Sequence, residues 1–561
     1  MLLASSHCLI LILLLNCANA GRVLRRIQER ARDLQRQTAE RQLAARAVGA
    51  RRRLRPGRIR QPLDHFNRQS AGTFPQRFFV NDAYWRRPDG PVFLYIGGEG
   101  PLYEFDVLAG HHVDMAEEHR ALLVALEHRY YGDSINPDGL KTENLAGLSS
   151  QQALADLAEF SQYISQTYNL SHRNTWISFG GSYSGALSAW FRGKYPHLVY
   201  GAVASSAPVK AQLDFSAYSN VVGASLANEA VGGSEKCVAA VRGAFAAVER
   251  VLTRGDVRQL AADFRCCQVP DAADDQVELM QSLADIVMGT VQYNEEGVLM
   301  SIRELCSVMT NSSSTRDGRT EADTYGRLVQ LAQMYRSSGE EACLDVSREK
   351  AVKDLMNTVH SMRRAERQWT YQTCTEFGFC TNTHTHTHTH THTHTHTHTH
   401  THTHTHTRVW VWFCVVSPSL FACARVDQTC EEAACPFSGM LTLQMDTQLC
   451  PLLFAVSQHS LPARVAFTNT HYGGDSPHTH RILYVNGGID PWKALSVLPD
   501  RTGAHDGALI IFSEDTAHCA DMMSGRVTDR RSLRKARQEI EGLVSTWLKA
   551  AAQEKMEKGQ V

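Results

Sequence analysis

Short apolar runs recur along the chain, and each one ends in glycine or polar residues. A run that is apolar at successive positions is typical of a strand buried on both faces of a parallel sheet. A segment with helical spacing, 151–168, lies between two of these runs. The order strand, helix, strand predicts an α/β layer fold with right-handed crossovers. The runs are 92–96, 121–126, 175–179, 199–204, 482–485 and 508–512.

Residues 213–372 interrupt this pattern. They are rich in Ala, Glu and Arg, and apolar residues recur at helical spacing over 238–252 and 277–287. We therefore predict a mainly helical insertion between two parts of one core, and an amphipathic helix over 533–551 that closes the fold. The predicted segments are a first core part 61–212, a helical cap and return 213–440, a second core part 441–551 and a tail 552–561.

The N-terminus has the pattern of a signal peptide. An apolar run over 9–15 precedes Ala18-Asn19-Ala20, the small-x-small form of a cleavage site, which predicts a signal peptide over 1–20. No later segment has the roughly 18 consecutive apolar residues of a membrane span. We expect a protein of the secretory pathway, lysosomal, endosomal or secreted, without membrane association after signal cleavage.

Residues 21–60 are rich in Arg and Gln and include three arginines at 51–53. One interpretation is a pro-segment cut at this basic site. The other, which the thin apolar face favours, is a solvated and mobile basic leader. The whole chain has a formal net charge of −1, so it offers no general argument for nucleic acid as a partner.

Cysteine usage agrees with an oxidising compartment. Of the 15 cysteines, two fall in the signal peptide and three, Cys380, Cys414 and Cys423, fall in an anomalous segment discussed next. The even set that remains predicts disulfides of unknown pairing, with adjacent Cys266 and Cys267 bonded to different partners. A zinc site at Cys430 and Cys435 lacks a matching second pair, so no metal is predicted. The set is Cys237, Cys266, Cys267, Cys306, Cys343, Cys374, Cys430, Cys435, Cys450 and Cys519.

Residues 383–406 are twelve Thr-His repeats. Histidine-rich tracts sometimes bind metal, but a translated CA dinucleotide repeat encodes this same alternation. The apolar stretch that follows, 409–424, is what pyrimidine-rich DNA could encode. We hypothesise that 380–425 is a retained intron, and a mature transcript that keeps this stretch would contradict the hypothesis.

A candidate nucleophile stands after the third strand. Gly180-Gly181-Ser182-Tyr183-Ser184-Gly185 lies between a predicted strand and a helix-like run, the setting of a nucleophile elbow. Small neighbours suit the strained turn, and a helix N-terminus directs free N–H groups at a developing oxyanion. Ser184 replaces the second glycine of the usual pattern, and alone the motif also fits an ordinary glycine-rich turn.

Two further residues follow later strands in the order that α/β-hydrolases use. Asp490 comes just after the strand 482–485, and His518 follows the strand 508–512. An acid in this place orients an imidazole, and a histidine in this place serves as general base. Each residue alone fits a turn or a surface position, but the order Ser, Asp, His after successive strands predicts a triad.

Several motifs together resemble the family of serine peptidases that contains lysosomal Pro-Xaa carboxypeptidase and lysosomal dipeptidyl peptidase. The resemblance runs from about residue 61 to 549, interrupted by the Thr-His segment. The motifs are Gln61-Pro62-Leu63-Asp64-His65-Phe66, Gly98-Glu99-Gly100, Glu127-His128-Arg129-Tyr130-Tyr131-Gly132, Gly180-Gly181-Ser182-Tyr183, Ser205-Ser206-Ala207-Pro208, Tyr371-Gln372-Thr373-Cys374-Thr375-Glu376, Asn486-Gly487-Gly488-Ile489-Asp490-Pro491-Trp492 and Ala517-His518-Cys519-Ala520-Asp521-Met522.

The resemblance implies an α/β-hydrolase fold with a helical, disulfide-bonded cap and a Ser182–His518–Asp490 triad. It implies an oxyanion hole from the Tyr183 amide and an amide near Glu99, and a proline-accepting pocket lined by Trp492. Peptides are the implied substrates, cleaved near an end with proline preference, in endosomal or lysosomal processing that includes antigen presentation. No cofactor is expected, and a homodimer is left open.

Other interpretations remain. An esterase or lipase would share the core and carry a lid, and a silent member of the fold would act as a binding module. Asn169 and Asn311 begin Asn-x-Ser triplets and are candidate glycosylation sites.

Overall fold

The computed structural model describes residues 22–46, 53–295, 297–311, 320–339, 341–362, 364–380, 435–499 and 508–557. The predicted signal peptide, the Thr-His repeat and residues 381–425 of the hypothetical intron lie outside these ranges. Within them, no helix is both long and apolar enough to cross a membrane.

One eight-stranded sheet forms the centre of the molecule, in the order β1-β2-β4-β3-β5-β6-β9-β10. The strands β4, β3, β5, β6, β9 and β10 run parallel, while β1 and β2 pair antiparallel at one edge. The bounds are β1 Leu54–Pro62, β2 Thr73–Asn81, β3 Val92–Ile96, β4 Leu122–Leu126, β5 Trp176–Gly181, β6 Gly201–Ser205, β9 Ile482–Gly487 and β10 Ala508–Ser513.

All six predicted strands are present, with ends shifted by two residues or fewer. Every residue of β4 and of β6 is buried, as expected for strands covered on both faces. The antiparallel pair β1 and β2 was not predicted, because arginines and glutamine alternate with the apolar residues of an edge strand. The sheet therefore begins at Leu54, inside the segment that the sequence assigned to the leader.

Helices cover both faces of this sheet. On one face α2 and α16 pack against Phe93, Ile177 and Leu483 through a cluster that includes Ile540 and Trp547. On the other face α3 and α4 lie under the large core. The α/β-hydrolase fold is therefore confirmed. The bounds are α2 His111–His119, α3 Ser150–Thr167, α4 Tyr183–Lys194 and α16 Arg531–Glu557.

The insertion is mainly helical, as predicted. A short parallel pair, β7 with β8, joins its beginning to its end. In the described stretch 435–499, three helices, α13 to α15, precede β9. The bounds are β7 Gln212–Asp214, α5 Ala217–Ala227, α6 Glu235–Arg254, α7 Val257–Asp263, α8 Ala273–Gln292, α9 Ile302–Thr310, α10 Thr320–Ser338, α11 Arg348–Met356, α12 Glu366–Gln372, β8 Gly378–Cys380, α13 Leu443–Thr447, α14 Leu449–Phe454 and α15 Leu461–Tyr472.

Disulfides brace the insertion: Cys237–Cys306, Cys267–Cys343 and Cys374–Cys450, and Cys435 is also disulfide-bonded.

Two members of the predicted even set are free thiols, which corrects that expectation. Cys266 pairs with Leu344 in an isolated β-bridge, and the alternation of an extended segment turns its thiol away from that of Cys267. Burial raises the pKa of Cys266 to about 12. Cys519 is the other free thiol and directly follows His518. Cys380, which the sequence placed in the intron, belongs to β8, where its carbonyl accepts from Phe215 N.

The basic N-terminal segment is not a solvated leader over its described part. Residues Arg22–Arg46 form one helix, α1, which packs on α8 of the cap. Val23 and Ile27 are 2% and 0% exposed and belong to the main core. The apolar face is short, but arginines on either side of it find acidic partners in the cap, and these were invisible in the local sequence.

Candidate active site

Ser182 lies where β5 turns sharply into α4. Its backbone has φ 58° and ψ −130°, a conformation that costs a non-glycine residue free energy. Hydrogen bonds hold the turn from both sides, because Ser182 N donates to Ser205 O at 2.9 Å and Ala186 N donates to Ser182 O at 3.1 Å. The strain and its restraint place the serine at the carboxyl edge of the parallel strands.

Glycines beside the serine are required by close backbone approaches. A Cβ at Gly180 would lie 2.1 Å from the Ser184 carbonyl oxygen, and one at Gly185 would lie 2.7 Å from the carbonyl oxygen of Ser205. Ser184 itself fits because its hydroxyl serves the turn. Its Oγ accepts from Gly181 N at 3.1 Å and donates to Gly181 O at 2.8 Å. The departure from the usual glycine pattern therefore leaves the elbow intact.

Asp490 and His518 form a buried pair at the same edge. His518 Nδ1 lies 3.0 Å from each carboxylate oxygen of Asp490, and Asp490 is fully buried. The carboxylate also accepts from Trp492 N at 3.0 Å, which fixes its orientation. Because Nδ1 donates to the carboxylate, Nε2 is the ring nitrogen left to accept a proton.

The electrostatics of His518 reflect two opposed effects. Burial disfavours the charged imidazolium, but the Asp490 carboxylate stabilises it, and the net result is a pKa raised well above its ordinary value. The pair therefore favours a histidine that takes up a proton readily.

A cavity of about 360 Å³ opens over this edge. Ser182, His518, Tyr183, Glu99 and Trp492 all line it, so the structure brings these predicted residues together. Asp490 lies behind His518 and does not reach the cavity wall. The candidate glycosylation sites Asn169 and Asn311 are exposed elsewhere on the surface.

Aromatic rings build the wall around Trp492. Its ring centroid lies 5.4 Å from those of Phe215 and Phe379 and 5.8 Å from that of Tyr218. Its indole Nε1 donates to Gln292 Oε1 at 3.1 Å, so the ring is fixed against the cap. A rigid apolar wall of this kind suits a compact apolar side chain.

The loop after β3 forms another part of the cavity wall. A Cβ on Gly98 would lie 3.4 Å from Ser184 Cβ, so this loop packs directly on the elbow. Tyr183 is the first residue of α4, where N–H groups have no carbonyl partner within the helix. The side chain of Glu99 is engaged elsewhere, because its Oε1 accepts from Gln28 Nε2 of α1 at 3.0 Å.

Two sequence motifs converge behind the elbow. Tyr183 Oη lies 3.0 Å from His128 Nε2 and accepts from Gln372 Nε2 at 2.9 Å. Gln372 Oε1 in turn accepts from Tyr131 Oη at 2.7 Å. Burial lowers the pKa of His128 to about 4, so this ring is neutral and acts as a hydrogen-bonding support.

Sequence reasoning missed two contributors to the site. Gln292, at the end of α8, accepts from His518 N through its carbonyl at 3.1 Å and from Trp492 and Tyr218 through its side chain. Nothing in its local sequence marks it, since its role depends on the cap folding over the core. Residues of α1, including Gln28, Glu29 and Arg32, also line the cavity.

The profile of the serine carboxypeptidase S28 family matches residues 61–398 and 380–540. The thymus-specific serine protease of Mus musculus is 41% identical over 88% of this chain and 87% of that protein, and that of Homo sapiens is 37% identical over 99% and 98%. The lysosomal Pro-X carboxypeptidase of Mus musculus is 27% identical over 84% and 85%. Among solved structures, the carboxylesterase EstE1 aligns with 35% of this chain and 60% of its own, with 17% identity and a TM-score of 0.24. The chain therefore belongs to the S28 family and is a serine-type peptidase.

Proposed function

We propose that Ser182, His518 and Asp490 act as a catalytic triad that hydrolyses peptides through an acyl-enzyme. The observation that carries this proposal is the buried His518–Asp490 pair, which opens into the same cavity as the strained Ser182. A carboxylate that orients an imidazole toward a serine at an elbow is the arrangement that activates a hydroxyl for acyl transfer.

In the first half-reaction, His518 Nε2 takes the proton of Ser182 Oγ as the oxygen attacks the substrate carbonyl carbon. The resulting oxyanion would accept from Tyr183 N and from an amide of the loop around Glu99. His518 then gives the proton to the leaving amine, and the C–N bond breaks. In the second half-reaction, water donates its proton to His518 and attacks the acyl carbon, and Ser182 recovers its proton as the acid product leaves.

The proposed substrates are peptides cleaved near an end, with proline beside the cleaved bond. Support comes from the aromatic wall around Trp492, which fits a compact ring, and from the name of the Pro-X carboxypeptidase relative. Cap residues such as Gln292 and Trp369 line this cavity of about 360 Å³, and a site covered in this way suits a chain end better than the middle of a protein. The proposed setting is endosomal or lysosomal peptide processing, including antigen presentation.

A fluorophosphonate probe tests the triad, because it labels only an activated serine. We expect wild-type protein to be labelled and Ser182→Ala to be unlabelled. Ser165→Ala is the matched control, since the Ser165 hydroxyl donates to Ser161 O within α3 and does not line the cavity, so labelling should persist. Labelling of Ser182→Ala at the wild-type rate would show that another residue reacts.

Cleavage of a peptide library then tests the substrate class. We expect products that differ from their substrates by one or two terminal residues, with proline enriched beside the cut. Trp492→Ala should lower kcat/KM for proline-containing peptides more than for alanine-containing ones. Cleavage in the middle of long peptides, or equal loss for both series, would contradict the proposed specificity.

A further inference from the structure

Helix α1 lies across the cavity that contains the candidate nucleophile. Its residues Gln28, Glu29 and Arg32 form one side of the cavity wall, and Ser182 and His518 line the same cavity. A peptide that reaches Ser182 from this side would have to occupy the space that these three side chains fill.

The apolar part of α1 holds it in this position. Ile27 is fully buried, and a Cβ on Gly289 of α8 would lie 2.5 Å from Ile27 Cδ1. The glycine therefore provides the groove in which Ile27 packs. At the start of α1, Leu24 N donates to Asp285 Oδ2 at 3.0 Å, so a buried carboxylate caps the helix.

Charge complementarity reinforces the contact. Arg22 pairs with Glu278 at 3.1 Å and with Asp345 at 3.2 Å, and Arg30 pairs with Glu341 at 2.6 Å. All these acidic residues belong to the cap. The basic character of α1 is therefore matched to one surface of this chain, which a merely soluble leader would not need.

Where α1 approaches the candidate nucleophile, its polar side chains contact groups of the core rather than of the cap. The Arg32 guanidinium hydrogen-bonds to Tyr95 and is attracted electrostatically by the carboxylates of Asp106 and Glu99. Its Nη2 would be 3.6 Å from a Cβ on Gly100, so it reaches the loop that packs on the elbow. Gln28 donates to Glu99 at 3.0 Å. An arginine inserted among these groups stands where a cationic group of a peptide would be attracted.

We propose that α1 is an inhibitory segment that occupies the substrate cleft, with Arg32 in the place of a cationic group of the peptide substrate. Displacement of α1, by cleavage of the chain before β1, opens the cleft and leaves Glu99 and Asp106 to bind an amino terminus or a basic side chain. This inference rests on the proposed function, since it assumes that Ser182 is the reacting group. Arg53, directly before β1, has an exposed side chain and ends the three-arginine stretch between α1 and β1.

The test replaces residues 47–52 in the full chain with the recognition sequence of a specific protease. Fluorophosphonate labelling of Ser182 and hydrolysis of a short peptide are followed before cleavage, and after cleavage and washing to remove α1. We expect both rates to rise at least about tenfold. A synthetic peptide of residues 22–46 should then inhibit the cleaved protein competitively. Unchanged rates after α1 has been lost would overturn the inference and show that α1 does not limit access to Ser182.

A point variant covers the case in which loss of α1 unfolds the protein. Arg32→Ala in the intact chain removes the contact with Tyr95 and the carboxylates but keeps the apolar packing of α1. We expect faster labelling, by about tenfold, the factor that 1.4 kcal/mol represents. Arg36→Ala is the matched control, because Arg36 pairs along its own helix with Asp33 and Glu40 and does not line the cavity. Equal rates for the two variants would overturn the inference.

A separate measurement tests whether Glu99 binds the amino terminus of the substrate. After α1 is displaced, a peptide with a free amino terminus should be hydrolysed with a lower KM than its N-acetylated form, and Glu99→Gln should remove that difference. Absence of labelling in every form, with Ser182→Ala indistinguishable from wild type, would instead refute the proposed function and this inference with it. Labelling that is equal before and after cleavage refutes only the inhibitory role.

Discussion

Arg129 and Asp156 form a fully buried ion pair, and the change Arg129→Met tests what it contributes. Arg129 Nε and Nη2 donate to the two oxygens of Asp156 at 2.6 and 2.7 Å, and both side chains are 0% exposed. The guanidinium also donates to three backbone carbonyls, of Pro62, Leu63 and Gly147. The pair thereby ties the end of β1 to α3 and to the loop after β4.

The size of the loss follows from what Met leaves behind. Its apolar chain keeps the contact with the Phe74 ring, whose centroid lies 5.2 Å from the guanidinium carbon in the native chain. The bonds to the three carbonyls are only partly buried, so we expect water to replace them. Asp156 remains as a buried charge with His65 and Gln76 as its partners. Removing one member of a buried pair costs about 3–5 kcal/mol, and we expect a loss of that size at pH 7.

The loss should depend on pH in a definite direction. In the native chain, burial opposes ionisation of Asp156, but Arg129 holds the pKa of its carboxyl below the ordinary value, so the group stays ionised at pH 5 and pH 7. Without Arg129, burial raises that pKa, and the variant escapes part of the penalty by protonation as the pH falls. The difference in free energy of unfolding should therefore be smaller at pH 5 than at pH 7.

Urea unfolding, followed by tryptophan fluorescence at both pH values, measures the effect. Arg58→Met is the matched control, because Arg58 is half exposed and lies 3.4 Å from Asp133, and such pairs contribute less than about 1 kcal/mol. Adding Asp156→Asn to Arg129→Met removes the stranded charge and should recover more than half of the loss. A loss below about 1 kcal/mol, or no recovery in the double variant, would refute the reasoning.

Three further predictions concern the site and the chain around it. Asp490→Asn should lower kcat by about 10⁴-fold. It should also move the acid limb of the pH–rate profile to lower pH, because Asp490 raises the pKa of His518. Stopped assays over a range of pH measure both effects, and an acid limb at the wild-type pH would contradict this prediction. Gln292→Leu removes the partner of the Trp492 indole but keeps the carbonyl bond to His518 N, so steady-state kinetics should show a KM several-fold higher with fluorophosphonate labelling unchanged. Deleting 381–425, which leaves Cys380 in β8, should increase soluble yield and activity. Equal activity of the two forms would refute the expectation that this segment disturbs folding.

The core and the site were predictable because each signal is local. Continuous apolar runs identify the parallel strands, and a parallel sheet brings the carboxyl ends of β5, β9 and β10 to one edge. Ser182, Asp490 and His518 could therefore be predicted to lie close together from the fact that each follows one of these strands. Gln292 lacks any such signal, because its contact with His518 joins parts of the chain more than 200 residues apart. The docking of α1 was missed for the same reason, since the partners of its arginines lie in the cap.

The bond between His518 N and the carbonyl of Gln292 has a mechanical consequence. The cap is attached to the backbone of the candidate base, so the cap cannot lift away from the core without disturbing the residue that moves the proton. Turnover must then proceed with this part of the cap in place, and peptides must enter and leave along its margin. The cap is thus a fixed part of the active-site cavity. Substrate entry and product release then depend on the element at that margin, which in this structure is α1.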